Sequence, residues 1–198
     1  MTEDSSAPDD LLDGPYHDYW LHLGRLIHEF SRVEFFLQYA LRQFSGMTPE
    51  VSGAVSGEFR VAAAKDAINR VLVAKGDLEI RDRLKGPFDQ LGVINGVRND
   101  IVHWGALDDG SVDFLVSNSQ RLFAPERLRE FRVSLRDLRA MSLDLFRISS
   151  HLIDEIRGPV PDEHDEEWAK VRELKWLYRP PAQRTQKKRL PRTPAQTR

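Results

Sequence analysis

The chain has 198 residues, of which 40% are hydrophobic and 30% charged, and its formal net charge is −2. That length suits a single domain with a real core, and the near-neutral total gives no global reason to expect nucleic acid. There is no cysteine, so disulfide and thiolate chemistry are excluded.

Charge is unevenly distributed. Residues 1–18 carry Glu3, Asp4, Asp9, Asp10, Asp13 and Asp18 without a Lys or Arg, whereas residues 179–198 carry Arg179, Arg184, Lys187, Lys188, Arg189, Arg192 and Arg198 without an acid. An acidic arm and a basic tail are expected. The acidic N-terminus lacks an apolar core and does not read as a secretory signal. No apolar run approaches the roughly 18 residues of a spanning helix. The expectation is a cytoplasmic protein without a membrane partner.

Residues 1–13 read as disordered, with little to bury. From there Tyr16, Tyr19, Trp20, Leu23, Ile27, Phe30, Val33, Leu37, Leu41 and Phe44 recur every three or four positions, the signature of one helix face. Gly46 and Thr48-Pro49 end that helix. Residues 51–57 are small and Gly-rich. The pattern predicts a second helix over about 58–74, closed by Gly76, and a third, shorter one over about 77–85. Gly86-Pro87 opens a fourth, with Pro in the first turn, where its missing N–H costs little. This helix carries "VRNDIVHWG" (residues 97–105) and ends near Trp104-Gly105. "ALDDGSVDFLVS" then signals a small β-hairpin. From Pro125 a long helix is predicted, with Leu128, Phe131, Leu135, Leu138, Leu145, Leu152 and Ile156 at heptad-like spacing and a stop at Gly158-Pro159. Its apolar stripe suits the buried edge of a monomer or the seam of a dimer. A linker and short helix are expected within 159–178, and a Pro-rich, basic, disordered tail over 179–198. That tail suits either an electrostatic tether to RNA or an ordinary solvated terminus. The fold class is thus all-α, a helical bundle over 14–158 with a small β-hairpin between the fourth helix and the last.

A projection of the fourth helix at about 100° per residue separates two faces. Leu91, Val93, Ile94, Val97, Ile101 and Trp104 form an apolar stripe for the core. Gly92, Asn95, Gly96, Asn99, Asp100 and His103 lie opposite, with Arg98 at the border. Asn99 and His103 are four apart and Asp100 and His103 three apart, so the three can touch. A neighbouring Asn or Asp fixes an imidazole tautomer. Gly within a helix costs about 1 kcal/mol relative to Ala. Gly92 and Gly96 on one line therefore predict the close approach of another helix, from this chain or from a second copy. Two copies facing each other would gather two imidazoles and two guanidiniums in one cleft. Such a cleft suits metal-free phosphodiester chemistry on RNA, with His as acid or base and Arg stabilising phosphoryl charge.

"RNDIVH" fits the R-(four to six residues)-H motif of HEPN domains (higher eukaryotes and prokaryotes nucleotide-binding), with the Asn that follows the Arg in many members. "LGRLIHEFSRVEFFLQYAL" resembles the first helix of bacterial HEPN-like proteins, and the long helix after the motif fits the same bundle, so the resemblance covers roughly 15–157. It implies a dimeric helical bundle and a metal-independent endoribonuclease acting as a toxin or in phage defence, with an antitoxin or another protein as partner. Arg98 and His103 would be the catalytic pair and Asn99 a supporting residue. Many HEPN-like proteins have no known activity, and some are binding modules, so two alternatives stand beside catalysis. One is a module that binds RNA, a nucleotide or a protein. The other is a structural dimerisation protein.

Asp100 beside a phosphate would repel it, so pairing with Arg98 or an outer Lys or Arg is expected. Glu34 sits in the apolar "VEFFL" and is expected either to pair with a cation such as Arg98 or to lie exposed at the helix edge. His17, His22 and His28 are spaced by five and six, wrong for a helical metal pair. No Gly-rich phosphate loop is present. Neither a metal nor a cofactor is called for.

Overall fold

The computed structural model describes residues 16–107, 111–119, 128–158 and 174–180. The elements are α1 (His17–Ser45), α2 (Pro49–Ser56), α3 (Val61–Lys75), α4 (Leu78–Trp104), β1 (Ala106–Leu107), β2 (Phe114–Ser117), β3 (Glu130–Val133) and α5 (Leu135–Arg157). The protein is a helical bundle with a small antiparallel sheet, as the sequence pattern predicts. The expected acidic arm (1–13) and most of the expected basic tail lie outside the described residues.

α1 forms because its apolar residues return every third or fourth position. Leu26, Phe30, Val33, Leu37, Ala40 and Leu41 are all buried. Gly46 ends it in the left-handed region (φ 73°), and its N–H caps the carbonyls of Arg42 and Gln43. Only Gly takes that conformation without strain. The small-residue stretch that follows is mostly helix: Thr48 caps α2 by accepting from the Val51 N–H, with Pro49 in the first turn. Gly57 closes α2, where a Cβ would stand 2.6 Å from the Gly53 carbonyl oxygen. α3 therefore starts at Val61, three residues later than expected, and ends at Gly76 as expected.

The separate helices expected over 77–85 and from Gly86-Pro87 are one helix, α4, with Pro87 inside it. Pro87 removes only the N–H that the Arg83 carbonyl would have accepted. Burial of Leu84, Pro87, Phe88 and Leu91 holds the helix together on both sides of that gap. Arg83 also ties this region to α5 by a two-pronged ion pair with Glu155, at 2.7 and 2.8 Å.

The expected hairpin is two strands of a three-stranded sheet of order β1-β2-β3. β3 pairs antiparallel with β2, Phe114 opposite Val133 and Ser117 opposite Glu130. β3 occupies a stretch expected to be the start of the last helix. α5 starts instead at Leu135, where Ser134 and Asp137 form a reciprocal capping box. Such a box satisfies two otherwise orphaned donors and defines a start point. Leu128 and Phe131 therefore precede the helix, and Pro125 lies outside the described residues. Leu138, Met141, Leu145, Ile148 and Leu152 of α5 are completely buried within one chain. Their stripe is spent on the chain's own core rather than on a dimer seam. α1 packs most extensively on α5 and next on α3, while α4 packs on both α5 and α3. Of the linker and short helix expected within 159–178, the described end, 174–178, is not helical.

Candidate functional site

The last turns of α4 hold the sequence-predicted site. Ile101 is buried, while Val97 and Trp104 are half-buried against the core, which fixes the helix's rotation. Arg98 sits at the border, half-buried. Its guanidinium lies over the Phe30 ring of α1, 4.7 Å from the centroid, and donates from Nη1 to the Asn99 Oδ1 at 3.0 Å. A guanidinium over an aromatic face is favourable by roughly 0.5–1 kcal/mol, more when desolvated. Among the described residues, Arg98 Nε is buried with no hydrogen-bond partner. Phe30 and Asn99 hold this cation in place without neutralising it.

Asn99 and His103 are not hydrogen-bonded to each other. The Asn99 oxygen is taken by Arg98, so Asn99 positions the arginine rather than the imidazole. His103 is exposed. Asp100 does not pair with Arg98. Its carboxylate accepts from Arg129 Nη2 at 3.2 Å. Burial raises the Asp100 pKa above the usual carboxylate value, and Arg129 and His103 oppose that shift by charge. Arg129 also lies over Trp104, 5.1 Å from its ring. The Arg129 backbone is fixed by exchange with Asn118: its N–H donates to Asn118 Oδ1 at 2.9 Å, and its carbonyl accepts from the Asn118 N–H at 3.3 Å. The sheet thereby delivers a second arginine to the site. Sequence reasoning missed Arg129 because it falls in the stretch read as helix. The Ser134-x-x-Asp137 cap, which moves the helix start past it, was the available signal.

Glu34 is not paired with Arg98. It lines a groove with Phe35, Gln38, Gly57, Glu58, Phe59 and Arg60, at the junction of α1 with the α2–α3 connection.

Gly92 and Gly96 are exposed. A Cβ on Gly96 would meet nothing within 4 Å, and one on Gly92 only the Lys65 ammonium, at 3.4 Å. Among the described residues, no helix crosses the glycine line. The close neighbour of Gly92 is Lys65, whose Nζ donates to the Phe88 carbonyl at 2.5 Å. Desolvation lowers the pKa of that amine, with Asp89 and Asp66 opposing the shift.

Among the described residues, no group of three or more His, Asp or Glu could hold a metal ion, and no helix is long and apolar enough to cross a membrane. No family model, curated protein or solved structure matches the chain.

Proposed function

We propose that the chain is a metal-independent endoribonuclease of the HEPN type, acting as a homodimer in the cytoplasm as a toxin or phage-defence effector. The observation that carries this reading is the arrangement at the end of α4. An exposed imidazole stands beside a carboxylate already paired with Arg129, and on the other flank Arg98 is clamped by Phe30 and Asn99. The pairing of Asp100 answers the main electrostatic objection, since a free carboxylate would repel the substrate phosphate.

Arg98 and His103 project about 140° apart on one helix, so one chain does not offer both to the same phosphate. A cleft shared by two copies, with the ends of their α4 helices apposed, is therefore required to bring the His103 of one copy to the Arg98 of the second. His103 takes the proton of a ribose 2′-hydroxyl. The 2′-oxygen attacks the adjacent phosphorus, Arg98 stabilises the charge on the phosphoryl oxygens, and the 5′-oxygen leaves with a proton. The products are a 2′,3′-cyclic phosphate and a 5′-hydroxyl. The test is cleavage of cellular RNA in excess chelator, with product ends identified. His103→Ala is expected to abolish cleavage and to relieve toxicity of expression, and unchanged cleavage by this variant refutes the mechanism.

A second reading, a non-catalytic module that binds RNA, a nucleotide or a protein, is favoured by the half-buried setting of Arg98. It predicts binding that weakens in Arg98→Ala and no product on any RNA.

A further inference from the structure

Residues 174–178 have no regular structure, yet they are gripped by three buried polar side chains from two helices. Asp144 of α5, with no exposed surface, accepts from the backbone N–H of Leu177 at 3.0 Å and of Tyr178 at 2.9 Å. Gln90 of α4 donates to Asp144 at 2.9 Å and to the Tyr178 carbonyl at 3.1 Å. Arg147 of α5 donates to the carbonyls of Lys175, at 3.1 Å, and Leu174. It also reaches Asp144 at 3.4 Å. The backbone of the segment is thus read by side chains at nearly every position, as a docked extended peptide is.

Side-chain specificity is added at alternate residues. Tyr178 is buried. Trp176 covers the Arg147 guanidinium, 4.6 Å from the ring centroid, and faces His151 at 6.1 Å. Lys175 and Leu177, between and beside them, are exposed. Backbone hydrogen bonds for affinity and pockets for alternate side chains for specificity are the general logic of extended-peptide recognition.

Burying three polar side chains for a five-residue contact is an expensive way to build a core. Buried polar groups of this kind give specificity more than stability. Fifteen residues separate Gly158 from Leu174, enough for a reach of up to about 50 Å when extended. Fifteen residues are enough for the same segment to reach the slot of a second copy.

We propose that the Asp144–Arg147–Gln90 slot is a peptide-binding site for an extended Trp-Leu-Tyr segment, filled in cis by residues 174–178 and in trans by the same segment of a second copy. The tether gives the cis segment a high local concentration, so the trans ligand enters when the cis segment is released.

The probe is a fluorescent synthetic peptide of residues 174–180, LKWLYRP, titrated into full-length protein and followed by anisotropy. The full-length double variant Trp176→Ala/Tyr178→Ala, with its slot vacated, is expected to bind the peptide; the wild-type chain at the same concentration is not. A scrambled peptide is expected not to bind. Adding Asp144→Asn to the vacated variant is expected to weaken binding roughly ten-fold, the loss of a charge-assisted hydrogen bond. Absence of binding to a vacated variant that keeps its helical circular dichroism overturns the proposal, as does equal binding of the scrambled peptide. Should the double variant not fold, Leu177→Pro, which deletes one N–H held by Asp144, takes its place.

Discussion

Removal of the Asp144 carboxylate is the sharpest test of the packing. Asp144 is completely buried and accepts from two backbone N–H groups, the Gln90 amide and the Arg147 guanidinium. Asp144→Ala leaves all four donors in a dry site. Each buried donor without an acceptor costs about 1–3 kcal/mol, though the penalties are not additive because segment 174–178 can lift and admit water. The nearest general case is the breaking of a buried ion pair from one side, at about 3–5 kcal/mol, and a loss of that size is expected. Asp144→Asn keeps one acceptor oxygen and is expected to lose about 2 kcal/mol. Urea unfolding followed by circular dichroism measures both, and Trp176 fluorescence reports release of the segment. A loss below about 1 kcal/mol for Asp144→Ala would mean that the slot carries little of the fold's stability.

Two further predictions concern α4. Burial raises the Asp100 pKa in the folded state, so the folded chain holds this proton more tightly than the unfolded chain and Asp100 opposes folding at neutral pH. Stability contributed through this group rises as pH falls through the carboxylate range. Asp100→Asn is therefore expected to stabilise the protein at pH 7, with the advantage shrinking toward acid pH, as measured by unfolding at a series of pH values. An advantage that grows toward acid pH would contradict the assigned cause. At Gly96, where a Cβ meets nothing, Gly96→Ala should stabilise the single chain by about 0.5–1 kcal/mol. Gly96→Leu should leave the fold intact yet reduce dimer in sedimentation, and a dimer unaffected by Leu would place the second copy elsewhere.

Where local signals and burial agreed, the sequence was legible. α1 and its stop at Gly46 follow from apolar periodicity and a left-handed cap, and α5 ends where Gly158 was expected to end it. The misreadings share a cause: a strong local marker was overridden by tertiary burial or by a subtler cap. Pro87 marks a helix start by propensity, yet the burial of Leu84, Phe88 and Leu91 carries α4 through it. Phe131 fits a heptad, yet the Ser134–Asp137 box starts α5 after it and leaves Phe131 to the sheet. In the site, helix geometry correctly put Arg98 at a border and His103 on an open face. It could not show that Asn99 turns toward Arg98, or that Asp100 is met by Arg129 from the sheet. The Arg129 contact depends on how the sheet lies over the helix, and no local pattern encodes that. The glycine line was legible as a surface without side chains, and Lys65 explains only half of it.

The central claim, a shared cleft that cleaves RNA without metal, is tested most directly by mixing two inactive variants. Wild-type protein, His103→Ala, Arg98→Ala and an equimolar mixture of the two variants are incubated with RNA in excess chelator after subunit exchange. The account predicts cleavage by the wild type, none by either variant alone, and recovery of about a quarter of the wild-type rate in the mixture, since half of the dimers hold one intact site. RNA left uncut by the wild type, or cut equally by His103→Ala, would contradict it.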